Sequence, residues 1–462
     1  MPLPFPRPLR RSPLLLAGLL AGVFVHTSAA GAAGSTPPNV HAGSAYVPNE
    51  VIVRYKPAAT KRVRAAAQRA TGAGDPYIFA PYTRVLKIKD GESVAETIAE
   101  LKRRPGVLDA YPNVVAHASY VPNDKGNSGV LGGWQALQWN FGPESGVNAP
   151  AAWERLKAVG RPGGAGVKVA VLDTGVAYEN HGRFRRSPDF RPSHFVAPYD
   201  FVDHDRHPDD ENGHGTHVAS TIAETTGNGV GVTGLAYGTR LMPVRVLDQN
   251  GTGDSVAISA GLRYAARKGA KVINLSFEFD SSVTRGQIPD ILDALRYARR
   301  KGALVVGASG NFSAHAVAYP ARATNVMSVG ATTEHLCQAD YSNSGSGLDI
   351  SAPGGGLDAD IPGDPHCRPG AEPVGRDIYQ MTYSTRSVRH FGLPSGYVGT
   401  SMAAPHVSAT AALVIASGVI GRNPTPAQVE ARLKATARDL GTPGPDSRYG
   451  AGMVDAARAV TP

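Results

Sequence analysis

Short apolar runs and amphipathic segments alternate along most of the chain, and this rhythm predicts its architecture. Strands are predicted at residues 167–172, 240–247, 272–277, 304–308 and 327–331. Helices are predicted at residues 149–159, 217–224, 254–268 and 288–301. Continuous apolar strands that alternate with helices are typical of a mostly parallel sheet with helices on both faces. We therefore predict an α/β fold for a domain that spans residues 125–462.

A second, smaller domain is predicted at residues 45–118. Strand-like alternation at residues 49–55, 83–88 and 107–116 is interrupted by helical patterns at residues 61–71 and 93–104. The order β-α-β-α-β indicates a small two-layer α+β domain. Residues 31–44 before it are rich in Gly, Ala, Ser and Pro, which is typical of a linker.

The first 32 residues have the layout of a secretory signal peptide. Arg7, Arg10 and Arg11 precede an apolar run at residues 14–25, and a small-residue stretch follows at residues 28–32. The apolar run is shorter than the roughly 20 residues that a membrane-spanning helix needs. We therefore predict a secreted protein, extracellular or periplasmic, with no membrane segment after signal removal. An N-terminal membrane anchor is the alternative.

Composition and charge narrow the function classes. A hydrophobic share of 42% can build a sizeable core, and a charged share of 18% is low for a disordered chain. The net charge of +9 lies almost wholly in residues 1–119, which hold 15 Lys and Arg against 7 Asp and Glu. The basic balance belongs to the precursor, so we predict no nucleic-acid partner for the mature protein.

A small-residue turn at residues 399–407 presents Ser401 just before an Ala-rich apolar segment at residues 407–416. Small neighbours allow a substrate backbone to approach the Ser401 hydroxyl. The free N–H groups at the start of a helix favour negative charge that develops nearby. Taken alone, this pattern fits a nucleophilic serine and an N-capping serine equally well.

Two further stretches offer partners for this serine. The predicted strand at residues 167–172 delivers Asp173 to a glycine turn at its carboxyl end, where open α/β sheets usually place their sites. The Gly-flanked His214 begins a helix-like segment, and histidine suits general-base work near neutral pH. An ordinary turn aspartate remains the alternative for Asp173. The chain order Asp, His, Ser is one of the known arrangements of a catalytic triad.

The blocks at residues 167–175, 212–220 and 399–407 resemble those of the subtilisin-like serine proteases, or subtilases. The resemblance implies a serine endopeptidase that acts on protein or peptide substrates, with Ser401 as nucleophile, His214 as general base and Asp173 orienting the imidazole. Residues 308–311 resemble the block in which subtilases keep an oxyanion-binding asparagine, here Asn311. A plain turn asparagine is the alternative for Asn311, and a non-catalytic binding module is the alternative function.

The resemblance also gives the small domain a role. In subtilases such a segment is a propeptide that assists folding and then blocks the cleft with its C-terminal tail, here residues 113–120. Residues 45–118 are therefore interpreted as an inhibitor of the enzyme's own peptidase domain. The chain is expected to be a self-processing zymogen and a monomer. An ordinary accessory domain is the alternative.

Metal binding is a further implication of the resemblance. Related enzymes hold a structural calcium ion, and Gln138, Asp189 and Asn228 fall at the corresponding positions. The block that precedes Asp189 is longer and more basic than is usual in the family. His214 and His217 have a spacing that could hold zinc, but no HExxH motif is present, so His217 is interpreted as structural.

Cysteines and the substrate pocket complete the predictions. Cys337 and Cys367 suit one disulfide in a secreted protein, with two free thiols as the alternative. Subtilases line the primary pocket with glycine backbone, whereas this chain has Ser276, Phe277 and Glu278. If the Glu278 side chain enters the pocket, a lysine or arginine before the scissile bond is favoured. If it points to solvent, the pocket stays apolar.

Overall fold

The computed structural model describes residues 46–71, 74–80, 82–88, 93–114, 122–126, 132–370 and 374–462. The predicted signal peptide, the linker and most of the predicted propeptide tail lie outside these residues. Two compact units, which meet in sequence at Asn113 and Val114, are described separately. No described helix has the combination of length and apolar character needed to cross a membrane.

The first unit is a four-stranded sheet with two helices. Its elements are β1 (Tyr46–Tyr55), α1 (Lys61–Ala70), β2 (Gly74–Ala80), β3 (Thr83–Lys87), α2 (Val94–Lys102) and β4 (Val107–Val114). The sheet order is β2-β3-β1-β4, and β3 runs antiparallel to both β1 and β2. Ser93 caps α2 by accepting the Glu96 N–H. The apolar face of β1, with Val51, Val53 and Tyr55, lies in the core of this unit.

Strand β2 was not predicted, because its segment begins with Gly74, Asp75 and Pro76, residue types that are depleted in strands. It forms through irregular pairing along the edge of β3, with two shifts in register. The remaining elements of the small domain agree with the predicted β-α-β-α-β order to within a few residues.

The second unit contains the large sheet and eight helices among its described residues. The helices are α3 (Trp134–Leu137), α4 (Ala149–Ala158), α5 (His214–Ala223), α6 (Ser255–Arg267), α7 (Pro289–Arg300), α8 (Thr400–Ser417), α9 (Pro426–Ala435) and α10 (Ala456–Val460). The strands are β5 (Lys168–Asp173), β6 (Tyr199–Asp200), β7 (Arg240–Arg245), β8 (Val272–Leu275), β9 (Leu304–Ala308), β10 (Val326–Thr332), β11 (Ile350–Pro353), β12 (Thr382–Tyr383) and β13 (Phe391–Gly392).

Seven of these strands form one parallel sheet in the order β11-β10-β9-β8-β5-β7-β6. After β7 the chain crosses to the other side of β5 and continues through β8. The direction of strand order thus changes at β5, and ligand sites in open parallel sheets lie at the carboxyl ends of strands at such a point. The carboxyl end of β5 is Asp173.

Helices cover both faces of this sheet, which confirms the predicted fold class. Along β5, Val169 and Val171 join the core beneath α4, α5 and α8, whereas Ala170 and Leu172 join the core beneath α6 and α7. This alternation follows from the two-residue period of a strand. Helix α8 is buried from Thr400 to Val414, which explains its apolar character on all sides.

Several boundaries differ from the predictions. Strand β8 ends at Leu275, two residues earlier than predicted, and α5 begins at His214, three residues earlier. The two-residue strands β6, β12 and β13 are too short to show a periodicity in sequence.

Cys337 and Cys367 form a disulfide, which confirms the predicted disulfide and excludes two free thiols.

Candidate active site

Asp173 and His214 come together because β5 ends where α5 begins. The Asp173 carboxylate is fully buried, and its Oδ1 accepts the His214 Nδ1–H at 2.7 Å and the Thr174 N–H at 2.7 Å. Gly215 permits this approach, since a Cβ there would lie 2.1 Å from the Gly175 carbonyl oxygen. The hydrogen bond fixes the imidazole so that Nε2 is the nitrogen left for chemistry.

The electrostatics of this pair favour the protonated imidazole. Burial by itself lowers the pKa of His214, but the charge and the hydrogen bond of Asp173 outweigh burial and raise that pKa above its usual value. Asp210 and Glu278 add to this effect with their charges. His214 is therefore well suited to hold a proton between one step of a reaction and the next.

A buried carboxylate that the sequence analysis missed holds the ends of β5 and α5 together. Asp210 Oδ1 accepts the Thr174 hydroxyl at 2.9 Å and the Gly213 N–H at 2.9 Å. Its Oδ2 accepts the N–H and the hydroxyl of Thr216 at 2.9 and 2.6 Å. The signal in the sequence is an acidic residue four positions before the histidine, which was not interpreted.

Ser401 lies in the first turn of α8 and is almost fully buried. Its hydroxyl donates to the Ser276 carbonyl at 3.1 Å, and the Ser276 hydroxyl donates to the Ser401 carbonyl at 2.8 Å. This reciprocal pair fixes the turn after β8 beside Ser401. Among the described residues, the Ser401 hydroxyl hydrogen-bonds to Ser276 and not to His214, so the Ser401 side chain has to turn toward the imidazole before a proton can pass between them.

Asn311 follows β9 and is held by the residue before Ser401. Its Oδ1 accepts the Thr400 N–H at 2.8 Å and the Thr400 hydroxyl at 3.0 Å. The carbonyl end of the amide is thereby fixed, and Nδ2 is left to donate elsewhere. Thr400 was not singled out in the sequence, although a hydroxyl beside a candidate nucleophile was a signal that could have found it.

The three candidate pocket residues lie on the turn that follows β8. This turn contacts both Ser401 and Asn311. Ser276 contacts Ser401 as described, and Phe277 is buried against Phe279 with ring centroids 6.3 Å apart. The Glu278 carboxylate accepts the Asn311 Nδ2–H at 3.1 Å. The side chain of Glu278 therefore turns toward the candidate oxyanion-binding amide.

The candidate calcium ligands divide into two groups. Asp189 Oδ1 accepts the Asn228 Nδ2–H at 2.6 Å, so these two side chains are in contact. Gln138 instead forms two hydrogen bonds with the backbone of Thr233, at 2.8 and 3.0 Å. Asp124, which the sequence analysis missed, accepts the N–H groups of Gly227 and Asn228 at 2.9 and 3.1 Å.

Burial and negative charge at this place favour a bound cation. Burial raises the pKa of Asp189 to about 8, and the charge of Asp124 contributes in the same direction while Asn228 opposes it. Asp189 Oδ2 is buried without a hydrogen-bond partner, and a Cβ at Gly231 would lie 2.3 Å from it. Among the described residues, no group of three or more His, Cys, Asp or Glu side chains is arranged to hold a metal ion. A cation here therefore needs amide or backbone oxygens as well.

His217 has a structural role. Its Nε2–H donates to the Ile378 carbonyl at 2.9 Å, and its ring stacks on Tyr397 with centroids 4.1 Å apart. Burial lowers the pKa of His217 to about 3, so the ring is neutral. These contacts support the structural interpretation over a zinc ligand.

Comparisons with known proteins agree with this geometry. The model of the subtilase family matches residues 164–452, and the model of the fervidolysin N-terminal prodomain matches residues 35–113. The thermophilic serine proteinase of Bacillus sp. (strain AK1) is 33% identical over 424 residues, 91% of this chain and 89% of that protein. Subtilisin Savinase of Lederbergia lenta is 37% identical over 328 residues, 70% of this chain and 99% of that protein. A solved protease structure from Pseudoalteromonas arctica PAMC 21717 gives a TM-score of 0.56 at 29% identity, covering 74% of this chain and 99% of that one.

Proposed function

The chain belongs to the subtilase family of serine endopeptidases and carries its N-terminal prodomain, and we propose from this that Asp173, His214 and Ser401 are its catalytic triad. The observation that carries the proposal is the 2.7 Å hydrogen bond between the buried Asp173 and His214, made at the switch point of the sheet. The enzyme would cleave peptide bonds through an acyl-enzyme intermediate.

In the proposed reaction Ser401 Oγ attacks the carbonyl carbon and gives its proton to His214 Nε2. Asp173 keeps the resulting imidazolium oriented and stabilises its charge. The Ser401 N–H lies in the first turn of α8, where backbone N–H groups have no helical partner, and it would bind the oxyanion together with Asn311 Nδ2. His214 then passes the proton to the leaving amine, and the ester that remains on Ser401 is hydrolysed by water.

The proposed function includes removal of the prodomain by the enzyme itself. Purified Ser401→Ala should then stay a full-length precursor, while the wild type releases the segment that ends near residue 120. Casein cleavage that a serine-directed fluorophosphonate abolishes tests the catalytic function directly. Efficient processing of Ser401→Ala without an added protease would contradict the self-processing step. Absence of any fluorophosphonate-sensitive cleavage by the processed wild type would favour a binding module.

Secretion is proposed from the signal-like N-terminus together with the Cys337–Cys367 disulfide, because disulfides persist in oxidising compartments. Expression of the full-length chain in a secreting host, followed by N-terminal sequencing of the exported precursor, checks it. The expected new N-terminus lies near residue 32. Retention of residues 1–32 in a membrane fraction would support an anchor instead.

A structural calcium ion is proposed beside Asp189, with Gln138 and Asn228 as the other predicted ligands and Asp124 as a neighbouring carboxylate; the Asn228 amide, whose Nδ2–H donates to Asp189, would have to turn its oxygen to the ion. Carboxylate and amide oxygens are the ligands that calcium prefers, and the unpartnered Asp189 Oδ2 supplies one of them. A bound ion would neutralise the buried carboxylates and tie the Asp124 segment to the loop that follows α5. Its contribution would be stability.

Thermal unfolding of the inactive Ser401→Ala precursor, with EDTA or with added calcium, tests this site without self-digestion. Calcium at about 100 times its Kd should stabilise the fold by about 2.7 kcal/mol. Asp189→Asn should remove most of the calcium-dependent increase in Tm, whereas Asp280→Asn on an exposed turn should retain it. Equal calcium effects in these two variants would contradict the assigned ligands.

A further inference from the structure

Glu278 is attached firmly beside the proposed nucleophile. Ser276, two residues before it, exchanges two hydrogen bonds with Ser401, at 2.8 and 3.1 Å. These bonds hold the turn that carries Glu278 beside Ser401.

The Glu278 carboxylate engages the amide that is proposed to bind the oxyanion. Its Oε1 accepts the Asn311 Nδ2–H at 3.1 Å, while Thr400 fixes the other end of the same amide at 2.8 and 3.0 Å. Because Thr400 prevents the amide from turning, the oxyanion has to approach the same nitrogen that Glu278 holds. Asn311 Nδ2 has two hydrogens, so the oxyanion can accept the one that Glu278 leaves; the two negatively charged oxygens would then lie at the same nitrogen and repel each other, and an ionised Glu278 would oppose formation of the oxyanion.

Within the described part of the chain, His214 supplies the only positive charge that acts on the Glu278 carboxylate. No Lys or Arg of the described residues forms a salt bridge with Glu278, and its side chain is half-buried. Burial raises the pKa of Glu278, against the opposing effects of the Asn311 hydrogen bonds and the His214 charge. A half-buried carboxylate without a lysine or arginine partner can bind an incoming cation favourably.

In the proposed reaction, the side chain of the substrate residue before the scissile bond would start near this place. The oxyanion develops on the carbonyl oxygen of that residue, and its side chain branches from the atom next to the same carbonyl carbon. A side chain attached there starts close to Asn311 Nδ2 and therefore close to Glu278 Oε1.

We propose that Glu278 gates the oxyanion hole: its carboxylate holds the Asn311 amide until a lysine or arginine before the scissile bond draws it away. The proposal rests on the serine-protease function assigned above. It makes Glu278 a specificity residue whose effect falls on the chemical step. A basic residue would draw the carboxylate away from the oxyanion donor, whereas a neutral residue of the same shape would leave the negative charge beside it.

Quenched peptides that differ only before the scissile bond test the gate, with arginine, its neutral isostere citrulline, and leucine at that position. In the processed wild type, kcat should be at least about tenfold higher for arginine than for citrulline, since one oxyanion donor is worth about 10²–10³ in kcat. Glu278→Gly should bring the arginine-to-citrulline ratio near one and raise kcat for the leucine peptide. Asp280→Asn, on the same turn but bonded to Ser282, should behave as the wild type does.

Glu278→Gln serves where the glycine variant folds poorly, because it keeps the length of the side chain and removes only its charge. It should also lose the arginine advantage. Equal kcat for arginine and citrulline in the wild type, or an arginine advantage that persists in Glu278→Gln, would overturn the gate. Fluorophosphonate labelling distinguishes failure of the gate from failure of the proposed function. If the enzyme is labelled and active but cleaves the arginine and citrulline peptides with equal kcat, only the gate is contradicted. If there is neither labelling nor cleavage, the proposed function is contradicted and the gate with it.

Discussion

At the scale of single residues, Asn311 shows how a side chain is prepared for one purpose. Thr400 supplies two donors to the Asn311 Oδ1. The amide nitrogen therefore faces Glu278, on the turn that follows β8. Orienting an amide before the substrate arrives removes reorganisation from the reaction itself. The proposed role of Asn311 therefore predicts an effect on kcat.

Asn311→Ala should lower kcat by about 10²–10³, the range known for the oxyanion-binding asparagine of subtilisin, with little change in KM. Thr400→Val is a milder comparison, because it keeps the Thr400 N–H bond to Asn311 Oδ1 and removes the hydroxyl, which donates to Asn311 Oδ1 at 3.0 Å and accepts the Gly310 N–H at 3.2 Å. Its loss should be smaller, since each hydrogen bond contributes about 0.5–1.5 kcal/mol. Steady-state kinetics on one peptide substrate measure both. A loss confined to KM in Asn311→Ala would contradict the oxyanion role.

At the scale of elements, the approach of α5 to the end of β5 sets the Asp173–His214 distance. Gly215 lies so close to this strand end that a Cβ would meet the Gly175 carbonyl oxygen at 2.1 Å and the Asp173 carboxylate at 3.1 Å. Buried backbone cannot yield cheaply, because it is packed as densely as a crystal of small molecules. A single methyl group here would therefore move the helix.

Gly215→Ala should lower both Tm and kcat, because it forces α5 away from β5 and stretches the bond between Asp173 and His214. We expect a stability loss of roughly 1–3 kcal/mol, the usual cost of overpacking. Gly286→Ala is the matched control, since a Cβ there meets nothing within 4 Å. Unfolding of the Ser401→Ala background gives the stability, and the active forms give kcat. Normal kcat in Gly215→Ala would argue that the close contact between α5 and β5 does not set the Asp173–His214 distance.

At the scale of the whole peptidase unit, the long segment between β11 and α8 supports the helix that carries His214. The Ile378 carbonyl accepts from His217, and the Met381 carbonyl accepts from Ser220 at 3.0 Å. Thr382 donates its hydroxyl to the Gly213 carbonyl at 2.6 Å. Cys367 lies in the same segment and joins it to Cys337.

Replacing both cysteines by serine should cost roughly 2–4 kcal/mol of stability, because the disulfide shortens the unfolded chain across a separation of 30 residues. The hydrogen bonds to α5 do not involve the cysteines, so kcat at room temperature should be unchanged. Denaturant unfolding of the double variant on the Ser401→Ala background checks the first part, and kinetics of the active double variant check the second. An unchanged free energy of unfolding in the double variant would show that the segment is held by its packing alone.

By itself, the sequence determined the α/β sheet and supplied candidates for the triad and for one disulfide. Apolar runs mark the buried strands, the resemblance of three sequence blocks to those of subtilases marks the triad candidates, and the two cysteines allow either one internal pair or two free thiols. The short strands β6, β12 and β13 escaped because two residues carry no period, and β2 escaped because its composition opposes its conformation.

Only the tertiary structure decided which side chains meet. Asp124 reaches the loop of Asn228 across 104 positions, Asn311 meets Thr400 across 89, and Glu278 meets Asn311 across 33. Sequence alone left Glu278 with two possible directions, the pocket or solvent, and packing gave it a third, toward the oxyanion donor. The physical reason is that periodicity reports which face of an element is buried, whereas a hydrogen bond between distant residues depends on how those elements pack.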